Sequence, residues 1–380
     1  MSELRSQQRM YLRLSLAKGV GAVTVRRLVD HFGGVEAAVA ASPAELLRVE
    51  GVGEKIASAI AAVDDEAVDE ELALAERHGA AMLCLADDAY PPALKNLPDP
   101  PPVLYVRGEL LPTDAVALAV VGSRRCTHYG LEQAERFGGL LGRAGFTVVS
   151  GGARGIDAAA HRGALSAGGR TIAVMGCGLC NLYPPENKEL FERIVADGRG
   201  AILSELPMRT DVKAGNFPIR NRIISGLSLG ALVVEAARRS GSLITARLAL
   251  EQGKEVFAVP GRVDSPFSQG TNQLIADGAA ALVQDLEDIL NALDRVGETL
   301  VEEGALAAAA PARPKIELTD LERKLMQHLS AAELPLDELI RRSGLPVHQV
   351  TAAMTTLTIK GAVTRKPGGV FTARGGPNIH

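Results

Sequence analysis

The sequence predicts an α/β protein: a parallel sheet covered by helices on both faces, preceded by a small all-α unit and followed by a winged helix-turn-helix. Three observations carry this. Short, continuously apolar runs alternate with helical stretches between residues 116 and 259, as expected of strands buried on both faces of a parallel sheet. Residues 1–78 read as short helices broken by glycines. The chain closes with three helical patterns and a glycine-containing hairpin, KPGGVFTAR. The expected division is therefore 1–78, 79–297, a small-residue, proline-ended linker at 298–316, and 317–380.

In the first unit, Gly19-Val20-Gly21 and Gly51-Val52-Gly53 each precede an amphipathic stretch, VTVRRLVDHF and KIASAIAAV. Such a turn between helices can present backbone N–H groups to a phosphate oxygen. The pair resembles a tandem helix-hairpin-helix, which makes Gly19, Gly21, Gly51, Gly53 and Lys55 secondary candidates for DNA contact; the alternative is a helical domain that uses glycine for connections alone. Ser42-Pro43-Ala44-Glu45 reads as a capping box with proline at the first helical position. The proline-rich stretch from Tyr90 to Pro112 is expected to be extended or looped rather than helical.

The strands expected next are VALAVV (116–121), FTVV (146–149), TIAVM (171–175), AIL (201–203), ALVVEA (231–236) and EVFAV (255–259), separated by helical stretches such as LEQAERFGGLLGRAG and GIDAAAHRGALSAG. Functional loops of such sheets gather at the carboxyl ends of the strands. Two candidate anion-binding turns lie there: Gly122-Ser123-Arg124-Arg125 and Ser150-Gly151-Gly152-Ala153-Arg154-Gly155. In each, glycines let the chain turn tightly into a helix whose amino end is partially positive, and arginine adds a fixed cation.

Composition excludes several classes. The chain has 380 residues, 47% hydrophobic and 23% charged, which rules out wholesale disorder. Its net charge of −4 means that any polyanion site is a local patch. With no Trp, five Tyr and eight Phe, a base-stacking platform is not expected. Cys84, Cys126, Cys177 and Cys180 in so long a chain suit a reduced, cytoplasmic protein. Neither a secretory leader nor an apolar membrane-spanning run is evident.

Several enzyme-like signals are weak. Cys177 and Cys180 form a single CxxC, half of a zinc site. Asp157 and His161 lie four apart on one helical stretch and read as a local structural pair, because no G-x-S-x-G frames Ser150. No P-loop is present, and Gly176-Cys177-Gly178-Leu179-Cys180-Asn181 breaks a dinucleotide fingerprint. No catalytic residue, metal or cofactor is expected.

Taken in order, SGGARGIDAAAH, the Tyr183-Pro184-Pro185-Glu186-Asn187-Lys188 segment, FPIRNRIISGLS, Ser240-Gly241-Ser242 and Gly270-Thr271-Asn272-Gln273-Leu274-Ile275 closely resemble the DprA/Smf (DNA-processing protein A) family over roughly residues 85–290. The resemblance implies an extended Rossmann-like domain that binds single-stranded DNA as a homodimer. It also implies a partnership with single-strand-binding protein and a RecA-type recombinase in natural transformation. Carried over position by position, it implies DNA contact by Gly122, Ser123 and Arg124, by the Ser150–Gly155 turn and by Lys188. Arg154 would touch DNA or pair with Asp157. Phe217, Arg220, Asn221, Arg222, Ser240, Gly241 and Ser242 complete the set, with one of the two arginines structural. Leu274 and Ile275 would lie on the dimer surface. A rival reading is a nucleotide phosphoribohydrolase, although Pro260-Gly261-Arg262-Val263 breaks that family's signature. No acidic residue follows Glu338, whereas Arg341, Arg342, Lys360, Arg365, Lys366 and Arg374 do. This is an electrostatic footprint for nucleic acid, with duplex DNA a further candidate ligand.

Overall fold

The computed structural model describes residues 2–293, 318–360, 362–366 and 369–373. The expected linker at 298–316 and Arg374 lie outside them.

Helices α1 (Ser2–Leu16), α2 (Ala22–Phe32), α3 (Val35–Ala40), α4 (Pro43–Leu46), α5 (Glu54–Ala61) and α6 (Asp65–Arg77) form the amino-terminal unit. Both glycine turns form as the sequence suggests, with Gly21 and Gly53 at the N-caps of α2 and α5. The capping box also forms: Ser42 N donates to Glu45 Oε2 at 2.8 Å, and Glu45 N to Ser42 Oγ at 3.4 Å. This unit has no separate interior. Leu12, Leu28 and Val68 share one apolar cluster with Tyr105, Met175, Phe191 and Met208.

The central sheet has nine strands: β1 (Ala80–Cys84), β2 (Val103–Gly108), β3 (Ala117–Val121), β4 (Thr147–Ser150), β5 (Thr171–Val174), β6 (Gly200–Ser204), β7 (Gly230–Val233), β8 (Glu255–Ala258) and β9 (Ala281–Leu282). Their order is β1-β2-β6-β5-β4-β3-β7-β8-β9. The run from β6 to β9 is parallel; β2 is antiparallel to β6, and β1 to β2. All six expected strands form. Strands β1, β2 and β9 were not anticipated, because β1 is alanine-rich, β2 is flanked by prolines and β9 is two residues long. The proline-rich stretch also holds a short helix, α7 (Pro92–Lys95), which corrects the expectation of no helix there. Pro92 occupies its first turn, where a missing N–H costs nothing.

Helices α8 (His128–Arg143), α9 (Ile156–Ser166), α10 (Lys188–Ala196), α11 (Asn216–Leu227), α12 (Ser242–Glu251), α13 (Gln269–Ala276) and α14 (286–293) follow the strands in turn. One cluster, with Leu118, Phe137 and Phe257, fills one face of the sheet; another, with Ile172, Ile223 and Ala246, fills the opposite face.

The carboxyl-terminal unit is a winged helix: α15 (Asp320–Ala331), β10 (Leu334–Pro335), α16 (Leu336–Ser343), α17 (Val347–Ile359), β11 (Val363–Lys366) and β12 (Val370–Ala373), with strand order β10-β12-β11. Its core holds Leu325, Leu339, Leu357 and Phe371. Residues 352–358 of α17 are all buried. The hydroxyls of Thr355, Thr356 and Thr358 donate back to the carbonyls of Thr351, Ala352 and Met354. Lys360 is a correction to the expected cationic face: its Nζ bonds the buried Glu322 carboxylate at 2.8 and 2.9 Å. Arg341 and Arg342 both pair with Glu338. The side chains of Arg365 and Lys366 lie outside the described residues.

Candidate nucleic-acid interface

Strand order reverses between β3 and β7, so the helices that follow these two strands leave on opposite faces and open a crevice at the carboxyl edge. The two turns are stitched together there. Ser123 N donates to Glu235 O at 2.7 Å, while Thr127 N and Oγ1 donate to the Glu235 carboxylate at 2.8 and 2.7 Å. The crevice encloses about 700 Å³ and is lined by Gly122, Ser123, Arg124, Arg125, Ala153, Asp157, Tyr183, Val212, Phe217, Arg220, Asn221 and Ser240–Ser242, among others.

Arg124 is exposed, makes no ion pair among the described residues, and lies over the Phe217 ring, 4.9 Å from its centroid. The ring presents its electron-rich face to the cation and holds it without neutralising it. Asn221 Nδ2 approaches Gly241 O at 3.5 Å, and the Ser240 and Ser242 hydroxyls bond each other at 2.7 Å at the rim.

Arg220 is buried, donates to Val174 O, and leaves its Nε without a partner. Burial lowers its pKa to about 10, against the pull of Asp157, so it stays charged at neutral pH. It therefore contributes a fixed charge to the crevice wall. Arg222 is the structural one of the pair: its guanidinium bonds Glu205 at 2.6 and 2.7 Å and Asp99 at 2.8 Å. The expectation that Arg222 contacts DNA is corrected, because its donors are already spent on carboxylates.

The second glycine turn also differs from expectation. Asp157 Oδ2 accepts from Gly151 N at 3.2 Å and Ala153 N at 3.3 Å. The anion in this nest is the protein's own carboxylate, buried on α9, and burial raises its pKa against the opposing pull of Arg220 and the two N–H groups. Ser150 is fully buried and donates to Val120 O at 2.6 Å, so it does not reach the surface. Gly151 and Gly152 are buried as well; Ala153 is the residue of this turn that lines the crevice. Gly155 has φ +77°, and a Cβ there would lie 2.5 Å from Ser123 O. Arg154 pairs with Glu186, through Nη2 at 2.6 Å and Nε at 3.1 Å, and with Tyr183 Oη at 3.2 Å; it does not pair with Asp157.

His161 is likewise not bonded to Asp157. Its Nδ1 meets Thr171 Oγ1 at 2.6 Å, its Nε2 has no partner, and burial drives its pKa down to about 3. Lys188 begins α10 as an exposed side chain outside the residues that line the crevice. Leu274 and Ile275 are half-buried on α13. No group of His, Cys, Asp and Glu among the described residues is arranged to hold a metal ion, and no described helix is long and apolar enough to cross a membrane.

Residues not singled out beforehand include Arg125, Tyr183 and Val212. The first two stood inside motifs already noted. Val212 lies in a segment with no periodicity, and only its fold-back onto the crevice identifies it.

A mostly parallel sheet with a cationic crevice at its reversal point, together with paired glycine-turn helices and a winged helix, defines a modular Rossmann-like protein. The chain belongs to the DNA recombination-mediator protein A family, whose profile matches residues 81–294. A DprA winged helix domain profile matches 309–369, and a SAM-like helix-hairpin-helix tandem profile matches 11–62. Protein Smf of Synechocystis sp. is 36% identical over 394 residues, covering 96% of this chain and 98% of its own. DNA processing protein DprA of Streptococcus pneumoniae is 44% identical over 207 residues, covering 54% of this chain and 72% of its own. An X-ray structure of the pneumococcal protein superposes with a TM-score of 0.65 at 34% identity, covering 75% of this chain and 97% of that one. The Helicobacter pylori DNA processing protein A, described for its single-stranded DNA binding mode, gives a TM-score of 0.50 at 32% identity, covering 59% of this chain and 96% of that one.

Proposed function

We propose that the crevice binds single-stranded DNA, chiefly through its phosphates, and that the protein acts without catalysis of its own. The observation that carries this reading is Arg124, an exposed guanidinium with no ion pair among the described residues, seated on Phe217 beside the fixed charge of Arg220. The one carboxylate lining the crevice, Asp157, is turned into backbone N–H groups and does not oppose a polyanion at the mouth. The single-stranded DNA binding of the Helicobacter pylori relative supports the same ligand. A phosphoribohydrolase reading lacks a free carboxylate at the base of the site, since Glu235 is buried and engaged by Thr127.

On this reading the protein is a cytoplasmic mediator that protects an incoming strand, often coated by single-strand-binding protein. It hands that strand to a RecA-type recombinase during transformation or homologous recombination. Family membership supports this role, and pairing of two copies through the α13 surface around Leu274 and Ile275 goes with it. The exposed turn residues Gly19, Gly51, Gly53 and Lys55, with Gly21 at an N-cap, would add backbone contacts to single or double strands. The winged helix would add less, because Arg341, Arg342 and Lys360 already have carboxylate partners.

The test is titration of labelled single- and double-stranded oligonucleotides at several salt concentrations, using the full chain and its Arg124→Ala variant. The logarithm of affinity should fall against the logarithm of salt by about 0.7 per phosphate neutralised. Binding by folded Arg124→Ala that matches the parent at every salt would refute the assignment.

A further inference from the structure

The segment 205–215, which follows β6, reaches the crevice through Val212 and Ala214, with Lys213 exposed between them. The segment contains no helix or strand, so its position depends on contacts supplied from elsewhere. Some come from the turn after β5: Gly178 N donates to Thr210 O at 2.9 Å, Cys180 N to Met208 O at 3.0 Å, and Asn181 Nδ2 to Arg209 O at 3.0 Å. Another comes from the amino-terminal helices. Met208 N donates to Glu71 Oε1 at 2.6 Å, across 137 positions of sequence, and the same oxygen accepts from Tyr105 Oη at 2.7 Å. The Met208 side chain is fully buried in the cluster that the amino-terminal helices share with the sheet.

Glu71 is buried on α6 and forms no ion pair with any described cation. A buried carboxylate without a cation depends on its hydrogen bonds, and the two made here lead to strand β2 and to the segment that carries Val212 and Ala214. We propose that Glu71 is a positioning residue for strand binding: through Met208 N it ties the 205–215 segment to the amino-terminal helical unit, which tunes the crevice without touching the strand. This rests on the assignment of the crevice as the strand-binding site.

The experiment uses full-length Glu71→Gln, Glu71→Ala and the volume-keeping Glu71→Met, with Arg124→Ala as reference. It reads amide hydrogen exchange by peptide and oligonucleotide affinity across salt. Glutamine keeps an acceptor for both donors, so it should match the parent in both readouts. Alanine and methionine should speed exchange within 205–215 and weaken affinity by about threefold to tenfold, the worth of an ordinary hydrogen bond. The salt slope should stay unchanged, because no phosphate contact is removed. Unchanged exchange in 205–215, or unchanged affinity where Arg124→Ala loses it, would overturn the role of Glu71 alone. A reduced salt slope would also overturn it, by placing phosphate contacts on the helical unit. If Arg124→Ala were itself silent, the crevice assignment and the role of Glu71 would fall together.

Discussion

Gly122–Arg125, after β3, and Ser150–Gly155, after β4, are neighbouring strand-to-helix turns, each carrying glycine and arginine. In the second, Asp157 fills the backbone nest, Arg154 faces Glu186, and Gly155 presses against Ser123 O. In the first, Arg124 points into the open crevice and meets an aromatic ring instead of a carboxylate. The difference teaches that a glycine turn with a cation is left open to an external anion only where the protein has not supplied the anion itself. The second turn meets the first through Ile156 N, which donates to Ser123 O at 3.3 Å.

This contrast can be broken by mutation. Gly155→Ala should have the largest effect, a stability loss of roughly 3–5 kcal/mol, because it combines a left-handed φ with a backbone clash. Gly241→Ala, whose added Cβ would meet nothing within 4 Å, is the control and should stay within about 0.5 kcal/mol. Urea denaturation measures both. Next, Asp157→Ala should cost about 3 kcal/mol, since it empties the nest and leaves Arg220 buried without its nearby carboxylate; equal stability of variant and parent would show that the nest is not structural.

Acid sharpens the same comparison, because α9 carries His161. The folded protein keeps His161 neutral down to about pH 3, whereas an unfolded chain protonates it near 6.5. Between those values the unfolded state binds the extra proton, so the contribution of His161 to stability falls as pH drops below 6.5, approaching about 1.4 kcal/mol per pH unit, and that contribution levels off near 3. Chemical denaturation between pH 7 and pH 5 should show this slope in the parent and lose it in His161→Phe.

Arg124→Ala should leave stability alone, weaken strand affinity about tenfold and flatten the salt slope by about 0.7. Lys188→Ala, outside the crevice lining, should change affinity about twofold at low salt and less at high salt, through screened long-range attraction. A larger effect at Lys188 than at Arg124 would move the strand's path off the crevice and onto α10.

Much of this was legible beforehand. The apolar runs and glycine turns located six strands and the edge on which the crevice lies, and the GSR and FPIRNR segments both reached it. Arg220 and Arg222, two positions apart in one motif, could not be told apart in sequence. Helical geometry points them to different surroundings, one toward the crevice floor and Val174, the other toward Glu205 and Asp99. Val212 and Glu71 carried no local pattern at all, and their roles come from a fold-back and a contact across 137 positions.

The amino-acid sequence by itself determined most of the helices, six of the nine central strands, the glycine turns and the capping box, because these follow from interactions among residues a few positions apart. Which cations remain available to a ligand was decided by the tertiary structure. Asp99 and Arg222 stand 123 positions apart along the chain and 2.8 Å apart in space, and an ion pair responds only to the second separation.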